Sequence, residues 1–412
     1  MMASLPLEGI RVLDLSMWWS GPICTSYLGA QGAEVIKLES VQAPDGFRYT
    51  MSTPRENWWE LGPQFNAANL NKLGLTLNLN EPEGVRLFEE LVAKSDVVIE
   101  NFTPRVMANF GLSYERLSDI NPKIIMLSMP AYGKSGPYSD QPGFAYTFEI
   151  LAGLAQITGY RDGNPMIISG VGDVISGFHT AYALLAALEH RAKTGEGQLI
   201  EVAQVEANAN LMGQPIADYS MNQRNWGREG NRQPNMAPHG IYRCKGEDSW
   251  VALAITDDDE WQRFCQVTGQ LEWANDERFQ KAADRCVHHD ALDQLVESWT
   301  AQFGHYEAAN LLQEAGVNAG PVLEIHELET DPFLADMFQE VTRELTGTHA
   351  YPGWPVKFSG QRLQHRSPAP TLGQHNEYVL KDILGLTAEE IAALEQNELI
   401  GDVPLGAKVK AL

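Results

Sequence analysis

Positive charge is scarce in this 412-residue chain: 30 lysines and arginines stand against 54 aspartates and glutamates, a formal charge of −24. A field of that sign excludes general binding to nucleic acid or to an anionic membrane, since both need phosphates neutralised by a positive surface. Long apolar runs are absent too. No stretch of 18 or more apolar residues occurs, and the opening MMASLPLEGIRVLDL lacks a basic segment followed by an apolar one. Neither a membrane span nor a secretory leader is expected, and the protein is read as cytoplasmic. Cysteine is limited to Cys24, Cys244, Cys265 and Cys286 with no CxxC pair, which favours reduced thiols over a disulfide framework or a zinc ribbon. Cys286 stands close to His288 and His289, but further metal ligands are missing and these read as surface residues at a helix start.

What is present is an alternation of strands and helices. Ile10 to Leu15 forms an apolar strand, Pro22 suits the first turn of a helix through Gly32, and AEVIKLE is a second strand, together a βαβ unit. The pattern continues with a helix from Pro82, the strand DVVIEN, a helix over 113–120 and the strand KIIMLSM. It predicts an α/β fold with an open, Rossmann-like parallel sheet. A helix from Val174 to about Arg191 has no polar face and is expected to be buried. From Tyr219 the composition shifts to Asn, Gly and Pro, reading as a linker into a second unit. That unit holds a strand near Trp250–Ile255, a helix opened by Asp257, Asp258 and Asp259, and helices over 290–303 and 306–315. The aspartate run complements a helix dipole and needs no metal to explain it. Near the end, a helix over 376–384 stops at Gly385, and Thr387 with Glu390 forms a capping box.

The first βα turn excludes a dinucleotide site. Glu39 ends the second strand where a ribose-binding acid would sit, but the turn reads SMWWSGPICTSYLG, with Trp18 and Trp19 where a pyrophosphate needs G-x-G. A more informative segment begins at Ser169, where Gly172 and Asp173 open the apolar helix and Gly177 follows one turn later. By residue type Asp173 is either a helix cap or a nucleophile. In the second case nearby N–H groups keep it ionised and the glycines admit the chain of a substrate.

Taken together, LEGIRVLDLS, SGP, GAEVIKLE, NLNK, DVVIENFTPRVMANFGL, SGPY, GDVISG, ALLAALEHRAKTGEGQLIEV, AGPVL and LGQHNEYVLKDILGL span nearly the whole chain. This combination resembles the class III CoA-transferases, the family of formyl-CoA:oxalate and carnitine CoA-transferases that also contains α-methylacyl-CoA racemase. The resemblance implies a large CoA-binding domain built from residues 1–222 and 329–412, with a small α+β domain over 223–328 inserted between them. It also implies an interlocked ring homodimer. Acyl-CoA and a carboxylic acid are the implied substrates, with no tightly bound cofactor and no metal. The family's catalytic aspartate falls on Asp173, which would form an anhydride with the donor acyl group and then a thioester with CoA. Two other readings remain on the same fold: an acyl-CoA racemase or epimerase, and a CoA-binding protein without transferase activity.

Residue by residue, the resemblance assigns CoA contacts to Trp18, Trp19 and Ser20, to the segment Leu77, Asn78 and Asn80, and to Asn101, Phe102 and Thr103. Basic residues frequent in the family near Ser40, Leu73 and Asn109 are missing, leaving Lys72 and Arg105 as the compensating cations. Other departures concern the acyl pocket. Trp19 replaces the glutamine of formyl-CoA transferase, Phe144 and Ala145 replace its Tyr-Glu pair, and Phe144 also stands where the racemases carry a histidine. These changes argue against oxalate and against racemization. Together with Trp58 and Trp59 they predict a wide aromatic pocket for a bulky hydrophobic acid, in which Glu149 serves as a structural or substrate-orienting carboxylate. Gly227 to Gly230 lies where the family has a glycine-rich segment over the active site, although GREG is stiffer than a run of glycines.

Overall fold

The protein is represented by a computed structural model that describes residues 5–52 and 55–408. Short aliphatic runs form β1 (Arg11–Asp14), β2 (Glu34–Glu39), β3 (Lys72–Thr76), β4 (Val97–Glu100), β5 (Ile125–Ser128) and β6 (Gln198–Glu201). All pair in parallel, in the order β3-β2-β1-β4-β5-β6. Alternate residues of the strands feed two cores, as the two-residue period of a strand requires. Leu13, Ile36, Leu75, Val98 and Met126 meet Leu87, Phe88 and Leu91 of the Pro82–Val92 helix. Val12, Val35, Val97, Ile99, Ile125 and Leu127 meet Cys24 and Leu28 of the Ser20–Ala30 helix and Leu184 and Ala187 of the Val171–Thr194 helix. Strand order reverses between β1 and β4, and open sheets of this kind take ligands in the crevice beyond the carboxyl ends of such a pair.

The chain divides into two compact units. One contains the chain through Leu154, Ile167–Arg224 and the chain from Asp336 onward; the other contains Ala155–Met166 and Asn225–Ala335. Residues 155–166 and 329–335 therefore group with the second unit, outside the 223–328 span read from sequence. In the first unit the C-terminal segment is tied to the sheet by polar contacts. Asn376 Oδ1 accepts from Thr76 N at 2.8 Å, and Asn71 N donates to Ser367 O at 3.1 Å. Val379, Leu380 and Ile383 enter the same core as the Pro82–Val92 helix. The expected α-helix over 376–384 is wound as a π-helix over Tyr378–Ile383, and the Thr387–Glu390 capping box forms.

The long helix corrects one expectation. It runs from Val171 to Thr194, but only Gly172, Ser176, Gly177, Thr180, Leu184 and Ala187 are buried, a stripe of mostly small residues at helical spacing. Phe178, Tyr182 and Leu185 are exposed on the single chain. The helix is long and apolar enough by composition to cross a membrane. Its buried stripe, however, packs against the Ser20–Ala30 helix: a Cβ on Gly177 would meet Ile23 Cγ2 and Ser20 O, each at 2.6 Å. Gly177 thus admits a neighbouring helix, not the chain of a substrate.

The second unit is an antiparallel sheet, β7 (His239–Arg243), β8 (Trp250–Ala254) and β9 (Asn318–Val322), covered by helices around Trp261, Phe264, Phe279 and Trp299. Asp257 caps the Asp258–Val267 helix by accepting from Glu260 N at 2.7 Å, and Asp258 accepts from the buried Arg285 at 3.0 Å. His289, expected at the surface, is buried and accepts from His239 N at 3.3 Å.

Candidate active site

β1 ends in a turn held by side chains rather than by glycines. Trp18 adopts a left-handed backbone conformation (φ 65°), which a bulky residue enters only under tertiary constraint. Its N–H donates to Asp45 Oδ1 at 3.1 Å, and its ring packs edge-on against Phe47 at 5.6 Å and Phe144 at 5.2 Å. Asn101, just past β4, accepts from Met17 N at 2.8 Å and donates to Met17 O at 2.7 Å and to Ser20 Oγ at 3.3 Å. The Ser20 hydroxyl in turn acts on the Asp173 carboxyl, favouring its ionised form. The contact between Asn101 and Ser20 therefore fastens the start of the first helix to the sheet's switch point.

Asp173 is not the helix cap. Gly170 occupies that position with a φ of 96°, and Asp173 lies in the first turn, partly buried. The backbone N–H groups expected to hold it ionised are taken by Glu149, whose Oε1 accepts from Gly170 N at 3.1 Å and Gly172 N at 2.9 Å. Burial, followed by the negative charge of Glu149, pushes the Asp173 carboxyl up to about 7, against the smaller opposing effect of Ser20. The expectation of a carboxylate kept ionised by its surroundings is thus reversed.

The aromatic residues form two groups. Trp18, Trp19, Phe47 and Phe144 pack together, and Trp19 lies where a Cβ on Gly170 would be, 2.6 Å from its ring. Trp58 packs on Tyr49 at 5.0 Å and on Trp59 at 5.9 Å. Among the described residues no ring pair joins Trp58 or Trp59 to the first group. Ala145 is buried at the start of the Ala145–Leu151 helix, where the Thr147 hydroxyl accepts from Phe144 N at 3.0 Å.

Lys72 is not a phosphate contact. Its ammonium is fully buried and donates to Asp14 Oδ2, Pro22 O and Asn69 Oδ1 at 2.9, 2.9 and 2.8 Å, which uses all three of its protons. Glu39 is likewise committed, bound by Arg48 at 2.8 and 2.9 Å. The Leu77 side chain lies in the core, Asn78 Oδ1 accepts from Asn80 N at 3.1 Å, and Phe102 N donates to Glu100 Oε2 at 2.8 Å. Thr103 is half-buried, and Arg105 is exposed at the start of the Arg105–Asn109 helix. A cleft of about 600 Å³ adjoins this helix, lined by Leu79, Asn80, Glu81, Pro82, Val85, Val106, Asn109 and Phe110. Sequence reasoning missed Asp45, Phe47 and Lys134, the last a cation whose charge is felt by Glu100 at the end of β4. The PDG signal at 44–46 marks a turn but not which side chains it meets.

In the second unit the 227–230 loop is pinned. Gly230 N donates to Gly159 O at 2.8 Å, Glu229 pairs with Arg161, and Arg228 donates to Gln156 O at 3.2 Å. Gly227 has no close packing around the position of a Cβ other than Glu229.

Known proteins carry the same architecture. The profile of CoA-transferase family III matches residues 7–376. A succinyl-CoA–D-citramalate CoA-transferase of Chloroflexus aurantiacus is 33% identical, covering 96% of this chain and 98% of its own. A formyl-CoA:oxalate CoA-transferase of Afipia carboxidovorans is 30% identical, with 98% and 99% covered. Among solved structures, a CaiB/BaiF family protein from Brucella suis aligns with a TM-score of 0.85 at 30% identity, over 92% of this chain and 100% of the other. With its six-stranded parallel sheet, a profile match over most of its length and relatives of 30–33% identity along nearly the whole chain, this chain belongs to CoA-transferase family III and is a class III CoA-transferase.

Proposed function

We propose that Asp173 is the nucleophile of a CoA transfer between a donor acyl-CoA and a carboxylic acid with a bulky, hydrophobic body. The observation that carries this reading is the Asp173 carboxyl itself, partly buried in the first turn of the long helix, with the Ser20 hydroxyl acting on it. In its ionised form it attacks the donor's acyl carbonyl; the C–S bond breaks, giving an acyl-aspartyl anhydride and CoA thiolate. The thiolate attacks the aspartyl carbonyl of the anhydride, forming an aspartyl-CoA thioester and releasing the donor acid. The acceptor carboxylate then attacks that thioester, and the released thiolate takes the new acyl group and regenerates Asp173. Two covalent exchanges conserve the thioester's energy without exposing it to water.

The remaining machinery follows from chemistry and position. The cleft lined by Pro82, Val85, Val106 and Phe110 suits a flat base, with Asn80 and Arg105 beside it for polar and phosphate groups, Lys134 as a second cation and the turns 18–20 and 101–103 along the pantetheine. Trp18, Trp19 and Phe144 favour an aromatic, terpenoid, steroid-like or branched acid, although the relatives above are named for citramalate and oxalate. Phe144 offers no second acid for α-proton transfer, which weighs against racemization. The enzyme acts in the cytoplasm as a homodimer, with the exposed apolar face of the long helix covered by a second copy.

Mixing with acyl-CoA and trapping with hydroxylamine or borohydride is expected to modify Asp173 and no other residue, read by peptide mass. Transfer that survives in Asp173→Ala would sink the mechanism, and turnover only with small polar diacids would sink the hydrophobic acceptor. Solvent deuterium entering the α-position without any acceptor acid would instead support a racemase.

A further inference from the structure

The mechanism leaves one buried acid unused. Glu149 is 1% exposed, and its two oxygens differ sharply: Oε1 accepts from Gly170 N and Gly172 N, whereas Oε2 is buried with no partner. The Asn208 Oδ1 atom is also buried and unpaired, and it lies 2.6 Å from where a Cβ on Gly172 would be. A buried acceptor without a donor is destabilising, so this spot is short of a proton. The charge of Glu149 acts on the Asp173 carboxyl.

Building on Asp173 as nucleophile, we propose that Glu149 is a positioning residue with two tasks. Its Oε1 clamps the glycine turn that aims Asp173, and its charge, left without a donor at Oε2 among the described residues, acts on Asp173 and favours the protonated form. Asp173 becomes a nucleophile only as that proton leaves to solvent. A negative charge beside a buried carboxyl disfavours its ionised form, which is the physical basis of this effect. Around this pair, the Ala145–Leu151 helix also carries Tyr146, the Gln204–Ala209 helix carries Glu206, the Ser20–Ala30 helix carries Cys24 and Tyr27, and the long helix carries His179. Of these groups only Glu149 acts on the Asp173 carboxyl.

The test is the pH profile of kcat/KM between pH 4 and 9, whose acidic limb reports the free enzyme's nucleophile. The wild type is expected to lose activity below about pH 7, following the Asp173 carboxyl. Glu149→Gln keeps an oxygen for both N–H groups but removes the charge, and should move that limb down by roughly one pH unit or more. A purely structural Glu149 would change the rate and leave the limb in place, and that result overturns the proposal. Should the variant fail to fold, the wild-type profile still tests the proposal: it requires a limb near neutrality, and a limb below about pH 5, the ordinary carboxylate range, rejects it. Transfer surviving in Asp173→Ala would remove the nucleophile reading, whereas an inactive Asp173→Ala with an unmoved Glu149→Gln limb removes only the role given to Glu149.

Discussion

At the scale of single residues, the acid proposed as nucleophile sits where its charge is least favoured. The Asp173 carboxyl is raised from 3.8 to about 7, so the folded state binds its proton more tightly than the unfolded chain does. Below about pH 4 both states are protonated and nothing is lost. Between about pH 4 and 7 the unfolded state ionises first, so stability falls as pH rises, and the full penalty is present above 7. Asp173→Asn should therefore raise the melting temperature at pH 8 but not at pH 4, with a gain on the order of 3 kcal/mol at the higher pH. Equal melting curves at pH 8 would mean that Asp173 is not strained by its surroundings. Lys72 makes the opposite point, because a cation chosen from sequence to meet phosphates is instead spent on a buried aspartate.

At the scale of elements, the long helix and the first helix set the site jointly. Their contact depends on Gly177, which lets the long helix pack against Ser20 and Ile23 of the neighbouring helix. Gly177→Ala places a methyl against Ser20 O and Ile23, and overpacking of this kind is destabilising by about 1–3 kcal/mol. Because the displaced element carries Ser20 and Trp19, kcat should fall along with the denaturation midpoint. A variant with wild-type kcat would uncouple the helix contact from the site. The first turn obeys the same logic: Trp18 holds its left-handed backbone because Asp45, Phe47 and Phe144 all fix it.

At the scale of the whole molecule, an apolar surface remains open on the single chain. Tyr182 is 78% exposed and Met221 is 80% exposed, with Phe178, Ile216 and Tyr219 also uncovered. Exposed apolar surface of this extent marks an interaction site. Light scattering after gel filtration should give twice the chain mass of 45.7 kDa, and Tyr182→Asp should shift the equilibrium toward monomer. A wild type that elutes as a monomer at micromolar concentration would reject the homodimer.

Much of this protein is written locally, and that part was legible. The apolar runs of β1, β2, β4 and β5, the Asp257 cap, the Thr387–Glu390 box and the lack of a G-x-G turn after β1 rest on nearest neighbours along the chain, so residue order alone determines them. Order along the chain also marks Asp173, through Gly172, Gly177 and the apolar helix behind it. Only the tertiary structure decides what each charge faces. Lys72 meets Asp14 across 58 positions, Glu149 takes N–H groups more than 20 positions away, and the pairing of Phe144 with Trp18 joins segments far apart in sequence. Protonation state and availability depend on burial and on the neighbouring charge, quantities that do not exist until distant segments have packed together.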